Sequence, residues 1–338
     1  MSFKIAIAGL RHGHINSLID LVKERPDTEL VALCEEDAET REKVIASGIC
    51  DTVFDSYTKM LDAIECDAIG IGDYYAKRGR IAIEAMRRGK HIVADKPLCT
   101  RLHELDEIEA LSRREKLSVS CQFDMRSSAL FRTVRRVIAE GTIGEVHAIS
   151  FNGQHPLMYG TRPNWYFETG KHCGTINDIA IHAIDYIPWL TGLQFTTINS
   201  ARNWNARLKE VPEFLDAAQM MLTLENGAGV IGDVSYLTPD SFGYGLPQYW
   251  LTLIWGSGGL IEVSNGSDLK LYKDGEKEVR IVELDAAAPG AYLDSFLREI
   301  RGETEGLELT SAEVFHSSRV ALRVQQAADE GLTNVSLS

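Results

Sequence analysis

The sequence has 338 residues, 44% of them hydrophobic and 25% charged, and carries a formal net charge of −14. That composition suits a globular chain with ample core, enough for two domains. The acidic balance excludes a nucleic-acid binder or a partner of anionic membranes, both of which need clustered Lys and Arg, and no apolar run approaches a membrane span.

The cysteines at 34, 50, 66, 99, 121 and 173 show no CxxC spacing, and several lie inside apolar runs. They are expected as reduced thiols in a reducing compartment, with the cytoplasm as the default location. The apolar run that opens the chain is broken at Arg11, too short for a signal-peptide core.

In chain order, short continuous apolar runs fall at 3–9, 30–34, 68–72, 91–94 and 117–121. Helical patterns fill the gaps, at 15–22, 38–47, 57–64, 78–88 and 104–114. Buried strands alternating with helices predict βαβ units and a Rossmann-type parallel sheet over residues 1–123. The first turn is then the place for a dinucleotide, with a G-x-G-x-x-G/A fingerprint and an acid about twenty residues later. Gly9 sits where the tight turn needs it, but Arg11 and His14 occupy the second and third positions and Gly13 is one place early. Glu35 ends the second run and supplies the acid, which favours NAD over NADP because a 2′-phosphate would be repelled. Arg11 offers a positive charge to shifted phosphates. His12 and His14 lack a third ligand at a recognisable spacing, so no metal site is expected.

From about 145 the pattern changes, and residues 124–338 form a second, α+β domain with a large, mainly antiparallel open sheet. After a strand at 146–151 comes an irregular stretch, 152–173, in which Tyr159 and Trp165 are candidates for stacking on a substrate. The run Cys173–Asp185 then mixes apolar positions with Asp178, His182 and Asp185 at i, i+4 and i+7, one face of a helix. An acid and an imidazole on an otherwise apolar helix are expensive to bury without a purpose. Runs at 218–224 and 230–237 flank Asn226-Gly227 and predict a hairpin. Further strands are expected at 249–255, 260–263, 269–272 and 279–284, with Asp274-Gly275 marking another hairpin. One face of this sheet carries Met220, Leu222, Leu251 and Trp255, or their alternates, and needs cover, as an oligomer interface would provide. Helices at 289–301 and 310–330 close the chain, the second opened by a capping box at Thr310–Glu313.

Asp95-Lys96-Pro97-Leu98 after the 91–94 run, followed by Asp178-x3-His182-x2-Asp185, resembles the glucose–fructose oxidoreductase / inositol dehydrogenase / MocA family. Arg87-Arg88-Gly89-Lys90-His91, Arg126 and Gly141–Val146 extend the resemblance over nearly the whole chain. Three departures stand out. Asp95 replaces the family's usual Glu, the glycine-rich lead into the helix reads His172-Cys173-Gly174, and the loop Gly72–Arg78 lacks the family's proline and carries Arg78 in place of its histidine. The resemblance implies a nicotinamide cofactor contacted by Gly9, Arg11, His12, Gly13, His14, Glu35, Asp73, Tyr74, Arg78, Asp95, Lys96 and Pro97. It implies Lys96, His182 and Asp178 as catalytic residues and places Arg126 near the substrate, beside the loop candidates Tyr159 and Trp165. It also implies dimers or tetramers through the second sheet.

A base close to a hydroxyl proton and a cation beside the developing alkoxide are what alcohol oxidation needs. His182, with an ordinary pKa near 6.5, suits the first role and Lys96 the second. Asp178 is placed to bind a substrate hydroxyl or orient the imidazole. The reading is an NAD(P)-dependent oxidoreductase, NAD preferred, acting on a hydroxyl or carbonyl of a sugar, polyol or related small molecule. Two alternatives stay open: a glycosidase or epimerase that keeps its NAD and oxidises transiently, and a non-enzymatic ligand-binding or regulatory protein on the same fold.

Overall fold

The computed structural model describes residues 2–337 and divides the chain into two compact units. The first contains the chain up to Gln122, then Gly170–Cys173 and Gly290–Ser318; the second contains Phe123–Thr169, Gly174–Pro289 and the chain from Arg319. The main division falls beside residue 123, and the chain then returns twice to the first unit.

The first unit alternates strand and helix: β1 (Phe3–Ala8), α1 (Ile15–Glu24), β2 (Thr28–Cys34), α2 (Ala38–Ser47), β3 (Val53–Phe54), α3 (Tyr57–Ala63), β4 (Ala68–Ile71), α4 (Tyr75–Met86), β5 (His91–Ala94), α5 (Leu102–Glu115) and β6 (Val119–Cys121). All neighbouring pairs run parallel, in the order β3-β2-β1-β4-β5-β6. Ile5, Ala6 and Ile7 of β1 and Ile92, Val93 and Ala94 of β5 are fully buried, as strands covered on both faces require. Helix α1 buries Ile15, Leu18, Ile19 and Val22, the i, i+3, i+4, i+7 stripe of an amphipathic helix. Asp37 caps α2 by accepting the Thr40 N–H, and Ser56 does the same for α3 at Lys59. The strand order reverses between β1 and β4, so the crevice at their carboxyl ends is the ligand position of such sheets. Strand β3 was not expected; two residues are too few to show a period, and only its ladder to Leu33 and Cys34 reveals it.

The second unit opens with α6 (Ala129–Ala139) and β7 (Val146–Pro156). A π-helical turn over Ile176–Ala180 leads into α7 (Ile181–Thr191). Then come β8 (Phe195–Trp204), β9 (Ala217–Leu224), β10 (Gly229–Thr238), β11 (Thr252–Gly256), β12 (Gly259–Val263), β13 (Leu269–Lys273) and β14 (Arg280–Val282). Helix α8 (Ala291–Ile300) lies in the first unit, and the division falls within α9 (Ser311–Glu330), after which β15 (Thr333–Ser336) ends the second. The nine strands order as β14-β13-β12-β11-β7-β10-β9-β8-β15. Only β7 and β10 pair in parallel; the rest is antiparallel.

The hairpins at Asn226-Gly227 and Asp274-Gly275 form as expected, the first with Gly227 at φ 87°. The capping box also forms: the Thr310 N–H donates to Glu313 Oε2 at 2.9 Å and the Glu313 N–H to Thr310 Oγ1 at 3.3 Å. Met220 and Leu222 face the core, whereas their alternates Met221 and Ile231, together with Trp255, are about half exposed on the outer face.

Candidate functional site

In the first unit the β1–α1 turn is built around Gly9. Its φ is 80°, and a Cβ there would lie 2.4 Å from the Cβ of Asp73, so only glycine fits. The Gly9 N–H donates to Cys34 O at 2.8 Å and the His12 N–H to Gly72 O at 3.0 Å, which seals the turn onto β2 and β4. Glu35 is buried at the end of β2, where its two carboxylate oxygens accept the Leu10 N–H at 2.7 Å and the Asp37 N–H at 2.9 Å. It therefore shapes the turn as well as supplying an acid beside it. Burial pushes its carboxyl above the ordinary range, against those two bonds.

Among the described residues, no acceptor meets the backbone N–H groups of Gly13 and His14 at the start of α1. A Cβ at Gly13 would meet nothing within 4 Å. An open helix start with two unspent N–H groups fits the pyrophosphate of a dinucleotide even though the fingerprint glycines are missing. Arg11, which replaces the second glycine, pairs through Nη1 with Asp37 Oδ1 at 3.3 Å.

Behind this turn lies a buried polar chain that no single stretch of sequence announces. His12 Nδ1 is 2.5 Å from Asp95 Oδ2, and the Tyr75 hydroxyl is 3.1 Å from His12 Nε2. Burial pushes the His12 pKa down to about 4, outweighing the pull of Asp95, so the imidazole is neutral. Its Nδ1–H then donates to Asp95, and Nε2 accepts from Tyr75. His14 Nδ1 lies 3.4 Å from the other Asp95 oxygen.

Arg78, wholly buried, completes the chain. Its Nη2 donates to Asp95 Oδ2 at 2.8 Å, Nη1 to Asp95 O at 2.8 Å and to Lys96 O at 2.6 Å, and Nε to Asp73 O at 2.7 Å. Burial would raise the Asp95 pKa, but Arg78 and then His12 hold it well below the ordinary carboxylate range. His12, His14 and Asp95 thus bring together three potential metal-ligand atoms. The guanidinium on the same carboxylate opposes a second cation there.

Arg78, expected beside the cofactor, acts as a clamp on the backbone here. Its donors fix the backbone on either side of Lys96, whose side chain is buried with Nζ 5.9 Å from the centre of the Tyr75 ring. Asp73 accepts the Tyr74 N–H at 2.7 Å and Lys77 Nζ at 2.7 Å, and Lys77 also reaches Glu36 at 2.8 Å. Tyr74 packs under Lys77 and Lys171, whose amines lie 5.8 and 5.2 Å from its ring centre.

In the second unit Gly174 precedes the helical turn, with φ 84° and the Gln325 side chain where a Cβ would be. This explains why one glycine of the lead-in survives. Gln325 Oε1 accepts the Ile176 N–H at 3.0 Å and the Asn177 N–H at 3.3 Å, capping the π turn. From Thr175 to Leu190 every residue is buried except His182, which is half-buried.

The polar residues of this helix serve different neighbours, contrary to a single regular face. The Tyr236 hydroxyl, kept protonated by burial and by the nearby carboxylate, donates to Asp178. Asp185 is held by Arg126 in a buried fork, Nε at 2.8 Å and Nη2 at 2.7 Å. Arg126, expected near the substrate, forms a buried ion pair with Asp185.

Trp165 is fully buried and stacked on Tyr166 with ring centres 4.1 Å apart. Tyr159 is exposed, edge-on to Phe167 at 4.9 Å. An aromatic wall that sequence reasoning missed surrounds the helix face: Trp250 stands 5.5 Å from the His182 ring, and His155 contacts Trp250, Tyr236 and Tyr249 at 6.4, 5.9 and 5.7 Å. Mixed aromatic and hydrogen-bonding surface suits a hydroxylated ligand.

Sequence comparison assigns residues 3–123 to the oxidoreductase family with an NAD-binding Rossmann fold and residues 131–262 to the GFO/IDH/MocA C-terminal domain. An uncharacterized oxidoreductase of Synechocystis sp. is 25% identical over 80% of this chain and 74% of its own length. Inositol 2-dehydrogenase 3 of Saccharopolyspora erythraea is 24% identical over 72% of this chain and 69% of its own. A solved structure from Thermotoga maritima, assigned as an oxidoreductase, superposes with a TM-score of 0.85 at 25% identity, covering 98% of this chain and 100% of that one. With both domain models matched over most of the chain, it belongs to the GFO/IDH/MocA family and is a nicotinamide-dependent oxidoreductase.

Proposed function

We propose that the protein is a dehydrogenase that interconverts a secondary alcohol and a carbonyl on a sugar, polyol or related small molecule, with NAD as the preferred cofactor. The observation that carries this is His182: the one incompletely buried residue between Thr175 and Leu190, a titratable group presented by a helix that otherwise hides everything. The inositol 2-dehydrogenase relative supports a polyol-like substrate.

A bound nicotinamide supplies the hydride acceptor for oxidation, or the donor for the reverse. The Gly13 and His14 N–H groups and Arg11 would hold its phosphates. Three successive acids, Glu35, Glu36 and Asp37, follow β2 and disfavour a 2′-phosphate. Lys96, held by Arg78 through its own carbonyl, stabilises negative charge developing on the substrate oxygen. His182 accepts the hydroxyl proton and returns it in the reverse direction. Asp178, fixed by Tyr236, orders a substrate hydroxyl.

The test is turnover of His182→Ala and Lys96→Ala, followed at the absorbance of NADH. His182→Ala should lose about 10²–10⁴-fold in kcat with cofactor affinity unchanged. Lys96→Ala should lose both turnover and cofactor affinity. Wild-type turnover in His182→Ala would remove the proton-transfer assignment. Net release of NADH identifies a dehydrogenase, and NAD that stays bound and oxidised through turnover identifies an epimerase or glycosidase instead. We further propose that a second copy covers the outer sheet face at Met221, Ile231 and Trp255. A chain that stays monomeric in light scattering at micromolar concentration would remove that assignment.

A further inference from the structure

The second unit contains a cation, Arg162, to which no anion among the described residues is paired. Arg162 lies in the segment between β7 and the helical turn Asn164–Phe167. Its Nε donates to Leu157 O at 3.2 Å, and Nη2 donates to Pro156 O at 2.8 Å and to the Tyr244 hydroxyl at 3.2 Å. Nη1 makes no hydrogen bond, and among the described residues no carboxylate stands at ion-pair distance from the guanidinium. Other arginines of this unit are treated differently: Arg126 pairs with Asp185, Arg136 with Asp285 and Arg207 with Asp240.

Arg162 is not a solvated surface arginine. It is partly buried, 4.6 Å from the centre of the Tyr166 ring and 5.5 Å from that of Tyr236. Burial works against its charge, but a guanidinium stays ionised in a protein interior. A desolvated cation without a counter-ion is costly to keep unless a ligand completes it.

Its position links it to the helix face. The Tyr236 ring that lies against Arg162 carries the hydroxyl that holds Asp178. The Tyr244 ring, whose hydroxyl accepts from Arg162, lies 5.5 Å from that of Tyr249, and the Tyr249 hydroxyl is 3.2 Å from His155 Nε2. His155 and Trp250 then continue the wall to His182.

We propose that Arg162 selects the substrate: the hydroxylated molecule carries an anionic oxygen group, a carboxylate or a phosphoester, that docks on the Nη1 edge of Arg162 while its hydroxyls face Asp178 and His182. This rests on the redox reading above for where the substrate lies. A planar guanidinium with one edge unspent matches either anion. A neutral analogue would leave that edge desolvated and unpaired, so the site rejects it.

The experiment uses the full chain with matched probes: D-glucose against D-glucuronate and D-glucose 6-phosphate, and D-galactose against D-galacturonate. Each is assayed for NAD+ reduction, and for binding by calorimetry with NADH present. At least one anionic probe should bind and turn over about 100-fold better than its neutral partner. Arg162→Gln should erase that preference by weakening the anionic probe alone, and Arg162→Lys, which keeps the charge but loses the fork, should retain part of it. A melting curve confirms that each variant is folded, and Arg162→Lys stands in if Arg162→Gln is not. The carboxylate and phosphate arms separate the two sources of anion. Neutral probes used as well as anionic ones overturn the proposal while leaving the dehydrogenase reading intact. Anionic probes that bind through Arg162 without NAD+ reduction support it while the dehydrogenase reading fails. Failure of every anionic probe to bind overturns it.

Discussion

Removing the Arg78 guanidinium should unsettle the first unit and the lysine it steadies. In Arg78→Met the Asp95 carboxylate, fully buried, keeps only neutral His12 as a close partner, with His14 at 3.4 Å, and the carbonyls of Asp73, Asp95 and Lys96 lose a donor. Breaking a buried ion pair from one side costs about 3–5 kcal/mol, because the remaining charge is left desolvated. The deficit should depend on pH. In the native protein the Asp95 pKa is depressed, so its contribution is present above the unfolded value of 3.8 and is lost as pH falls through the lower folded value. Without Arg78, burial alone raises that pKa, and acid relieves the strain on the variant. The gap between wild type and variant should therefore be widest at neutral pH and narrow toward pH 5. All five tryptophans, at 165, 189, 204, 250 and 255, lie in the second unit, so tryptophan fluorescence would not see this change directly. Urea unfolding should be followed by far-ultraviolet circular dichroism at pH 8 and pH 5. Adding Asp95→Asn to Arg78→Met should recover part of the loss. A cost below about 1 kcal/mol, or one independent of pH, would refute the reasoning.

Two further outcomes follow from the same physics. Arg126→Met should cost about 3–5 kcal/mol by stranding Asp185, while Arg126→Met with Asp185→Leu should be close to wild type; tryptophan fluorescence reads this unit, and a double variant no better than the single one contradicts the ion-pair assignment. His12, with its pKa pushed down to about 4 by burial, favours the neutral form on folding, so its contribution is intact above pH 6.5 and lost as pH falls toward 4. Unfolding free energy should drop by on the order of 1 kcal/mol per pH unit across that window, and His12→Gln should flatten the drop; an unchanged slope in that variant would assign it to other groups.

The sheet of the first unit was legible because buried parallel strands are continuous apolar runs, and α2 and α3 fall where their periodicity placed them. Strand β8 was not. Register shifts between Phe195 and Thr197 and between Ile198 and Ser200 break its alternation, so Phe195–Trp204 shows no clean period of two. Candidate site residues stand out in the sequence where their chemistry is local, as at Gly9, Lys96 and His182. The His12–Asp95 bond spans 83 residues of sequence and the Tyr236–Asp178 bond 58, and neither leaves a local pattern. Arg78 marked a departure from the family loop, but its partners follow only from the folded chain. Arg162 stood among polar and aromatic residues with nothing to say that no acid would join it.

The π turn at Ile176–Ala180 bears on which changes of length this chain can tolerate. Its Ile181 N–H reaches back to Ile176 O, one residue further than an α-helix allows. Each residue turns a helix by about 100°. Helix α7 cannot take up such a rotation, because Asp185 is clamped by Arg126 and Tyr186 is bonded to Thr252 at 2.9 Å. A one-residue deletion here would be thrown upstream, swinging Asp178 away from Tyr236 while leaving His182 in place. This stretch is therefore fixed in count as well as in the size of its buried apolar side chains.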